Sequence, residues 1–292
     1  MNTERVAIKV SVVSIITNII LTTIKFIIGI ISNSKALISD AVHSLSDVLS
    51  TFVVIIGVKL SNKDADEMHP YGHERLECAA SIILAVMLFL TGLAILVAGV
   101  KNVISGKVVP ITSTFFAIAT ALVSIIVKEA MYWYTKNNAK KINSTALLAD
   151  AYHHRSDSLS SVGSLIGIIG VRLGYKLLDT IASVIISLFI IKAAFEIFKD
   201  AIDKMVDKSC DDDTLYRIKK IIYKNKNVKN IDDLKTRQFG SKYYVDVEIA
   251  VDKSMNITDA HEVAQNVHDM IEDKIPFVKH CMVHVNPYEE TK

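Results

Sequence analysis

The chain has 292 residues, of which 51% are hydrophobic and 22% charged, and its mean hydropathy is +0.35. This composition excludes a disordered or collagen-like chain and is more apolar than a typical soluble protein of this length. The formal net charge is +2, from 33 basic and 31 acidic residues, so charge gives no case for a nucleic-acid-binding protein, which needs a clustered basic face.

Six long apolar blocks follow one another before about residue 207. A transmembrane helix needs roughly 20 mostly apolar residues to cross about 30 Å of hydrocarbon. The blocks of this length are Val10–Ile31, Ala36–Leu60, Ala79–Ile104, Ile111–Tyr134, Thr145–Leu173 and Leu177–Phe198. The sequence therefore predicts an α-helical membrane protein with a six-helix transmembrane bundle over residues 1–206.

The orientation of the bundle follows from its basic residues. The first block is too long for the apolar part of a signal peptide and has no small-residue cleavage site after it, so we expect it to remain as a span. Basic residues gather in the N-terminal arm and in the loops after the second and fourth spans: Arg5, Lys9, Lys59, Lys63, Arg75, Lys136, Lys140 and Lys141. Such segments face the cytoplasm. We expect a multi-pass protein of the cytoplasmic membrane with both termini in the cytoplasm.

Residues 207–292 are charged and are predicted to form a small cytoplasmic α/β domain of order αββαβ. Apolar Val245, Val247 and Ile249 alternate with Asp246 and Glu248, which is the pattern of a half-buried strand. The predicted helices are Asp213–Lys224 and Ile257–Ile271, and the predicted strands are Val228–Arg237, Tyr243–Val251 and Val278–Val285.

The second and fifth spans contain the same short motif. "SDAVHSLSDVLS" and "ADAYHHRSDSLS" both read Asp-Ala-x-His-x-x-Ser-Asp. The i, i+3, i+7 spacing puts the two acids and the imidazole within about 60° of one another on a helix. Each such group costs at least about 2 kcal/mol in hydrocarbon, so it must face a partner or a water-filled cavity. The members are Asp40, His43 and Asp47 in one copy and Asp150, His153 and Asp157 in the other.

The inner pairs of this repeat are candidate metal ligands. His43 with Asp47 and His153 with Asp157 offer two nitrogens and two oxygens, a set that suits a tetrahedral divalent ion such as Zn²⁺. No Cys or Met lies on either stripe, which argues against Cu⁺, and the two imidazoles disfavour an all-oxygen Mg²⁺ site.

Two interpretations without a metal stay open for the repeat: hydrogen bonding between helices, and a proton relay. Asp40 and Asp150 are interpreted as groups behind the ligands or at a vestibule, with direct ligation left open. His154 points about 100° away from His153 and is interpreted as a packing residue.

These motifs resemble the cation diffusion facilitator family of divalent metal/proton antiporters, and within it the bacterial ferrous-iron/zinc efflux subgroup. "HPYGHERLE" after the second span and "DLKTRQFG" in the tail match the family at the expected places, and the resemblance covers nearly the whole chain. It implies a transport site formed by His43, Asp47, His153 and Asp157, with His43 favouring zinc-like ions. It also implies a homodimer.

The loop after the second span reads "NKDADEMHPYGHERLE" and offers further ligands. Glu67, His69 and His73 supply one carboxylate and two imidazoles, and Pro70 and Gly72 form a turn that could fold them onto one ion. The family resemblance implies a metal site here, and a solvated acidic loop with incidental histidines is the alternative.

In the tail, the resemblance implies a structural or regulatory Zn²⁺ at the dimer interface. Two of the implied ligands, Asp232 and Glu248, are carboxylates at positions where the family often has His. Asn286 lies where the family sometimes has an acid. These differences weaken the prediction of a binuclear metal cluster. His268, His280 and Cys281 are additional, loose candidates for metal ligands in the tail, and a role as a surface or core residue is the favoured interpretation of each. The implied ligands are Asp232, Glu248, His261 and His284.

Together these features predict a transporter, not an enzyme. It exports a Zn²⁺- or Fe²⁺-like cation across the cytoplasmic membrane by proton-coupled antiport, because protons compete with metal for imidazole. No GxxxxGK[ST] motif indicates coupling to ATP. The alternatives are a Mn²⁺, Co²⁺, Cd²⁺ or Ni²⁺ exporter of the same family, a passive metal channel, and an intramembrane metalloenzyme.

Overall fold

The computed structural model describes residues 3–31, 35–105, 115–172 and 178–289, and within these ranges the side chains of Asp40 and His43 lie outside the description. The chain divides into two compact units, Met1–Ile202 and Asp203–Lys292.

The first unit consists of six long helices, in agreement with the predicted bundle. They have 27 to 31 residues each, more than enough to cross a bilayer. Their bounds are α1 Thr3–Ile31, α2 Lys35–Ser61, α3 Arg75–Ser105, α4 Phe115–Ile142, α5 Thr145–Arg172 and α6 Leu178–Met205. Several helices run past the predicted spans, because hydropathy marks only the apolar part of a helix whose backbone hydrogen bonds continue into polar ends.

Composition alone identifies fewer spans than helices. Among the described residues, Thr3–Ile28 and Arg75–Lys101 are long and apolar enough to span a membrane, with mean hydropathies of 2.0 and 2.8. The middle parts of α2, α4 and α5 contain Asp47, Lys128 and Asp157, and such ionisable groups lower the mean hydropathy of these helices.

The bundle places apolar residues outside and polar residues inside. Ile16, Leu49 and Phe189 are about half exposed or more, at 52%, 64% and 61%, whereas Asn18 and Thr51 are fully buried. A soluble domain would reverse this distribution, so the surface is that of helices that face lipid.

Close helix packing fixes the positions of the polar groups. α1 packs against α2 and α4, and α5 packs against α2, α3 and α4. A Cβ on Gly57 of α2 would collide with the Cβ of Ala80 on α3, so this glycine lets the two helices approach closely. Ala85, Leu88 and Leu147 belong to the apolar core that surrounds the polar interior.

The second unit has the predicted order αββαβ. Its elements are α7 Asp212–Ile222, β1 Asn230–Phe239, β2 Lys242–Val251, α8 Ile257–Lys274 and β3 Val278–Pro287. β2 is the central strand, antiparallel to β1 and parallel to β3, so α8 provides the crossover that a parallel pair requires. Gly240 takes a left-handed φ of 56° in the turn between β1 and β2.

The core of the second unit follows the predicted alternation. Val245, Val247 and Ile249 are at most 2% exposed and pack with Val267 and Ile271 of α8. The helix starts are fixed by side-chain caps: Asp211 accepts the backbone N–H of Thr214, and Asn256 accepts that of Asp259. α8 also packs against β3, the edge strand of the sheet.

Candidate metal transport site

The two copies of the repeat meet inside the helical bundle. Asp47 of α2 is 2% exposed, and His153 and Asp157 of α5 are 7% exposed each. One ligand atom of each residue lies within 4.8 Å of the others, and His153 Nε2 is 3.4 Å from Asp47 Oδ1. The structure therefore brings together three of the four residues that sequence analysis assigned to the transport site. The side chain of the fourth, His43, lies outside the described residues.

A lysine of α4 occupies the middle of this group. Lys128 Nζ donates to Asp47 Oδ2 at 2.7 Å and to Asp157 Oδ2 at 2.9 Å, and the Lys128 side chain is 2% exposed. Two buried carboxylates thus share one buried ammonium. Without this ammonium they would be two uncompensated anions in a medium of low dielectric constant, which is strongly unfavourable.

Sequence analysis missed Lys128. The sequence does contain an indication of its importance, because an ionisable residue within a membrane span is a candidate functional residue by default. Lys128 lies inside the predicted span Ile111–Tyr134 but outside the duplicated motif, and the motif directed attention to α2 and α5 alone.

A second polar layer lies beside the ligand group. Asp150 accepts a hydrogen bond from Thr51 Oγ1 at 3.2 Å and lies 3.5 Å from His154 Nε2. His154 is fully buried and also approaches Ser14 Oγ of α1 at 3.3 Å. Asp150 therefore connects α5 to α2, and His154 connects α5 to α1. The side chain of Asp40, the partner of Asp150 in the repeat, is outside the described residues.

The loop between α2 and α3 also assembles potential ligands, with one change from the sequence analysis. The carboxylate beside the two imidazoles belongs to Asp66, whereas Glu67 is exposed and lies outside the group. Asp66 Oδ1 is 3.1 Å from His69 Nδ1, and Asp66 Oδ2 is 3.4 Å from His73 Nε2. The turn decides which carboxylate faces inward, since the backbone N–H of His69 donates to Asp66 at 2.8 Å.

The groups around Asp66 in the loop favour the ionised form of its carboxyl group. The Lys63 ammonium and the backbone N–H of His69 hold the pKa of the Asp66 carboxyl below its ordinary value. The His73 ring is also oriented, because its Nδ1 lies 3.2 Å from the carbonyl oxygen of Asp64 and can only donate to it. Nε2 of His73 is then the nitrogen that is available for a metal.

The four ligands implied for the tail are not assembled in a single chain. Asn286 Nδ2 donates to Asp232 Oδ2 at 3.0 Å and to Glu248 Oε2 at 3.1 Å. Within the described residues, neither His261 nor His284 joins a group of three ligand atoms. A site at a dimer interface would need a second chain, so these four residues stay a prediction.

Comparison with known proteins follows the same division of the chain. Residues 11–206 match the model of the cation efflux transmembrane domain, and residues 210–288 match that of the cation efflux protein cytoplasmic domain. The chain belongs to the cation diffusion facilitator family. It is accordingly a membrane transporter for the efflux of divalent metal cations and not a member of an enzyme family, and its cytoplasmic domain is of the dimerisation type.

Relatives of this cation diffusion facilitator cover almost its whole length. The manganese efflux system protein MneP of Bacillus subtilis is 32% identical over 294 residues, covering 98% of each chain. An uncharacterised transporter of Methanocaldococcus jannaschii is 37% identical over 278 residues, covering 95% of this chain and 97% of its own. The magnetosome protein MamB of Magnetospira is 33% identical over 270 residues, 92% of each chain.

Among solved structures, a nickel form of the MamM CTD is 22% identical and covers 27% of this chain and 100% of its own, with a TM-score of 0.27. The relatives named above include a manganese exporter, so the iron/zinc subgroup of the sequence analysis stays a prediction.

Proposed function

We propose that this protein exports a Zn²⁺- or Fe²⁺-like ion from the cytoplasm in exchange for protons, through a transport site of His43, Asp47, His153 and Asp157. The observation that supports this most is the buried group of Asp47, His153 and Asp157, which already surrounds the positive charge of Lys128. A group that stabilises an ammonium inside the bundle can stabilise a metal cation at the same place.

Charge compensation favours a divalent cargo. Two ionised carboxylates balance the charge of one M²⁺, and a neutral imidazole adds a ligand without adding charge. The nitrogen and oxygen donors suit Zn²⁺ and Fe²⁺, and the described ligand group contains no sulfur donor that would favour Cu⁺.

Exchange with protons follows from the same ligands. A carboxylate and an imidazole hold a metal only when they are deprotonated, so protons arriving from the outside compete with the metal and promote its release. An unperturbed imidazole titrates near pH 6.5, which lies close to the pH on either side of a cytoplasmic membrane.

The division of the chain into two domains fits a transporter that is regulated by its cytoplasmic domain. We propose that residues 1–206 are the transporting domain and residues 207–292 the metal-binding and dimerisation domain of a homodimer. Both termini are proposed to be cytoplasmic, and the gradient of protons, not ATP, supplies the energy. The loop ligands are proposed to be Asp66 or Glu67 with His69 and His73.

Manganese is a second candidate cargo, which the relatives favour. MneP and MneS of Bacillus subtilis, both manganese efflux system proteins, are 32% and 33% identical to this chain. Mn²⁺ prefers oxygen ligands, whereas the imidazoles of His43 and His153 favour Zn²⁺ or Fe²⁺. Uptake of each ion in competition with the others by the purified protein decides between them.

The coupling is tested in proteoliposomes that contain the purified protein and a metal-sensitive dye. With an imposed pH gradient, Zn²⁺ uptake should scale with the gradient and stop when an ionophore removes it. Flux that ignores the pH gradient would indicate a passive channel, and an absence of flux for Zn²⁺, Fe²⁺ and Mn²⁺ would contradict both transport proposals.

A further inference from the structure

The cytoplasmic domain contains a cluster of ligand atoms away from the positions that the family resemblance implies. Glu272 Oε1 lies 3.2 Å from His268 Nε2 on α8 and 3.3 Å from His280 Nδ1 on β3. The three ligand atoms are all within 4.8 Å of one another. The side chains are 29%, 26% and 50% exposed in the order Glu272, His268 and His280, so an ion could reach them from water.

The hydrogen bonds around His268 fix which nitrogen carries its proton. His268 Nδ1 is 2.6 Å from the carbonyl oxygen of Cys281, and a carbonyl oxygen can only accept. Nδ1 is therefore the donor, and in the neutral ring Nε2 carries a lone pair at 3.2 Å from Glu272 Oε1. A lone pair and a carboxylate oxygen at this distance repel each other unless a cation lies between or beside them.

This arrangement is the one that metal-bound histidines use. A ligating His usually donates its other ring N–H to a backbone carbonyl or carboxylate, which sets the tautomer and the ring orientation. His73 of the loop shows the same pattern, with Nδ1 on the carbonyl of Asp64 and Nε2 facing Asp66.

The carboxylate is also held in place before any ion arrives. The backbone N–H of Cys281 donates to Glu272 Oε1 at 2.9 Å, so the carboxylate of α8 is anchored to β3. Cys281 itself is not a ligand, because its side chain is 1% exposed. Burial, with Glu272 and Asp246 nearby, raises the pKa of the Cys281 thiol to about 12, which leaves no thiolate at neutral pH.

We infer that His268, Glu272 and His280 form a binding site for a divalent transition-metal ion such as Zn²⁺ or Co²⁺, completed by water. Two nitrogens and one oxygen with an open position match the ligand preferences of these ions. Because the ligands come from α8 and β3, occupancy links the crossover helix to the edge strand of the sheet. The site would sense cytoplasmic metal independently of the transport site.

The test is Co²⁺ binding to the full-length purified protein, measured as tightly bound equivalents per chain and by the visible absorption of the bound ion. His268→Asn keeps a donor near the position of Nδ1 and removes Nε2, and His280→Asn removes the strand ligand. Each should weaken one Co²⁺ equivalent by at least about 10-fold. Asp273→Asn, next to Glu272 and exposed, is the matched control and should bind as the wild type does.

Equal Co²⁺ equivalents in His268→Asn, His280→Asn and Asp273→Asn would overturn the inference. The transport and loop sites are intact in all of these variants, so their contribution cancels.

A separate observation concerns Lys128, and the inference from it rests on the proposed transport function. Its ammonium contacts Oδ2 of both Asp47 and Asp157, at 2.7 and 2.9 Å. A Zn²⁺ ion bound by these carboxylates would lie about 2.0 to 2.2 Å from their oxygens, in the space that the ammonium occupies. We infer that Lys128 is a resident counter-cation, which fills the empty site and which the metal must displace.

This role has consequences for both metal affinity and the return of the empty carrier. Lys128 lowers the metal affinity, because each binding event must break two charge-assisted hydrogen bonds. It also keeps the empty site from exposing two unpaired carboxylates to the low-dielectric interior while the helices rearrange. A carrier without it should bind its cargo tightly and turn over slowly.

The test compares Lys128→Met with the same substitution at Lys192, which is 74% exposed on α6. Zn²⁺ should bind Lys128→Met at least about 10-fold more tightly than the wild type, while steady-state transport falls. Lys192→Met should change neither, and Lys128→Arg, which keeps the charge, should keep an affinity closer to that of the wild type.

An unchanged or weaker Zn²⁺ affinity in a monodisperse Lys128→Met protein would overturn the inference about Lys128. If the wild type itself transports no metal, the proposed function fails instead, so the two failures are distinguishable.

Discussion

The ligand group inside the helical bundle differs in its surroundings from the two clusters outside it, in the α2–α3 loop and in the second unit, although all three use the same residue types. Asp47, His153 and Asp157 are at most 7% exposed, whereas His69 and His280 are each about half exposed, at 54% and 50%. Lys128, which compensates the charge of the buried group, is 2% exposed, whereas Lys63, which pairs with Asp66 in the loop, is 61% exposed. A counter-ion supplied by the protein therefore matters most where the empty site is buried and water cannot share the charge.

The buried and the exposed ligand groups also differ in how the histidine rings are oriented. In the loop and in the tail, a backbone carbonyl accepts from Nδ1 of His73 and His268 and leaves Nε2 facing a carboxylate. In the bundle, the helix backbone carbonyls are already used in intrahelical hydrogen bonds, so the orientation of His153 depends on Asp47 of the neighbouring helix. The proposed transport site is thus sensitive to how the helices move relative to each other.

The largest expected effect is on transport. Asp157→Asn should reduce proton-driven Zn²⁺ uptake to the background of empty vesicles, because it removes one of the two carboxylates that balance the metal charge. Uptake into proteoliposomes under a fixed pH gradient measures the loss. Glu196→Gln, which changes a side chain that is 62% exposed on α6, should keep the wild-type rate, and substantial uptake by Asp157→Asn would refute the assigned ligands.

A smaller effect is expected from the loop, and it separates Asp66 from Glu67. In a protein that already contains Asp157→Asn, the further change Asp66→Asn should weaken Zn²⁺ binding to the loop by roughly 10- to 100-fold. Glu67→Gln should leave it unchanged, since Asp66 is the carboxylate beside His69 and His73. Titration calorimetry on the purified proteins measures both. If Glu67→Gln has the larger effect, the turn that places Asp66 beside His69 and His73 does not persist in the metal-bound loop.

The polar layer behind the transport site should contribute to stability more than to affinity. Thr51→Val removes the donor to Asp150 at an almost unchanged volume and leaves a fully buried carboxylate with fewer partners. The free energy of unfolding should fall by about 1 to 3 kcal/mol, measured by thermal unfolding in detergent. Thr23→Val, an exposed threonine that bonds only to its own helix, should change the stability by less than about 0.5 kcal/mol.

The smallest effect is expected at the start of α7 and should depend on pH. Asp211→Ala removes the N-cap acceptor for Thr214 and should cost about 1 kcal/mol. The backbone N–H of Thr214 lowers the pKa of the Asp211 carboxyl, so its stabilisation is complete above the ordinary Asp pKa and is lost as the pH falls through the lowered value. The stability difference from the wild type should be constant near pH 7 and shrink in acid. A difference that grows in acid would contradict the capping role.

The sequence could predict the architecture because it depends on patterns that are local in the chain. The lengths of the six apolar blocks predicted the six helices, and the alternation from Val245 to Ile249 predicted the central strand. Helix ends were less predictable: α4 continues from the predicted end at Tyr134 to Ile142, because its last turns are polar and still hydrogen-bonded.

The sites could be predicted only where they depend on spacing within one element. The spacing of His153 and Asp157 placed both on one face of α5, and the repeat indicated a partner in α2. Lys128 was missed because its position depends on the rotation of α4 against α2 and α5, which no local pattern records. His280 reaches Glu272 through the packing of β3 beside α8, which is tertiary structure. Asp66 faces the histidines because of one local turn, whose geometry the residue spacing does not record.

The central claim is that the cargo ion binds where Lys128 Nζ now lies. Anomalous X-ray scattering from crystals of the Zn²⁺-loaded full-length protein tests it most directly. We expect an ion about 2.0 to 2.2 Å from a carboxylate oxygen of Asp47, from one of Asp157 and from Nε2 of His153, with the Lys128 ammonium moved away from both carboxylates. An ordered Zn²⁺ elsewhere in the bundle, with Lys128 still bonded to Asp47 and Asp157, would contradict it.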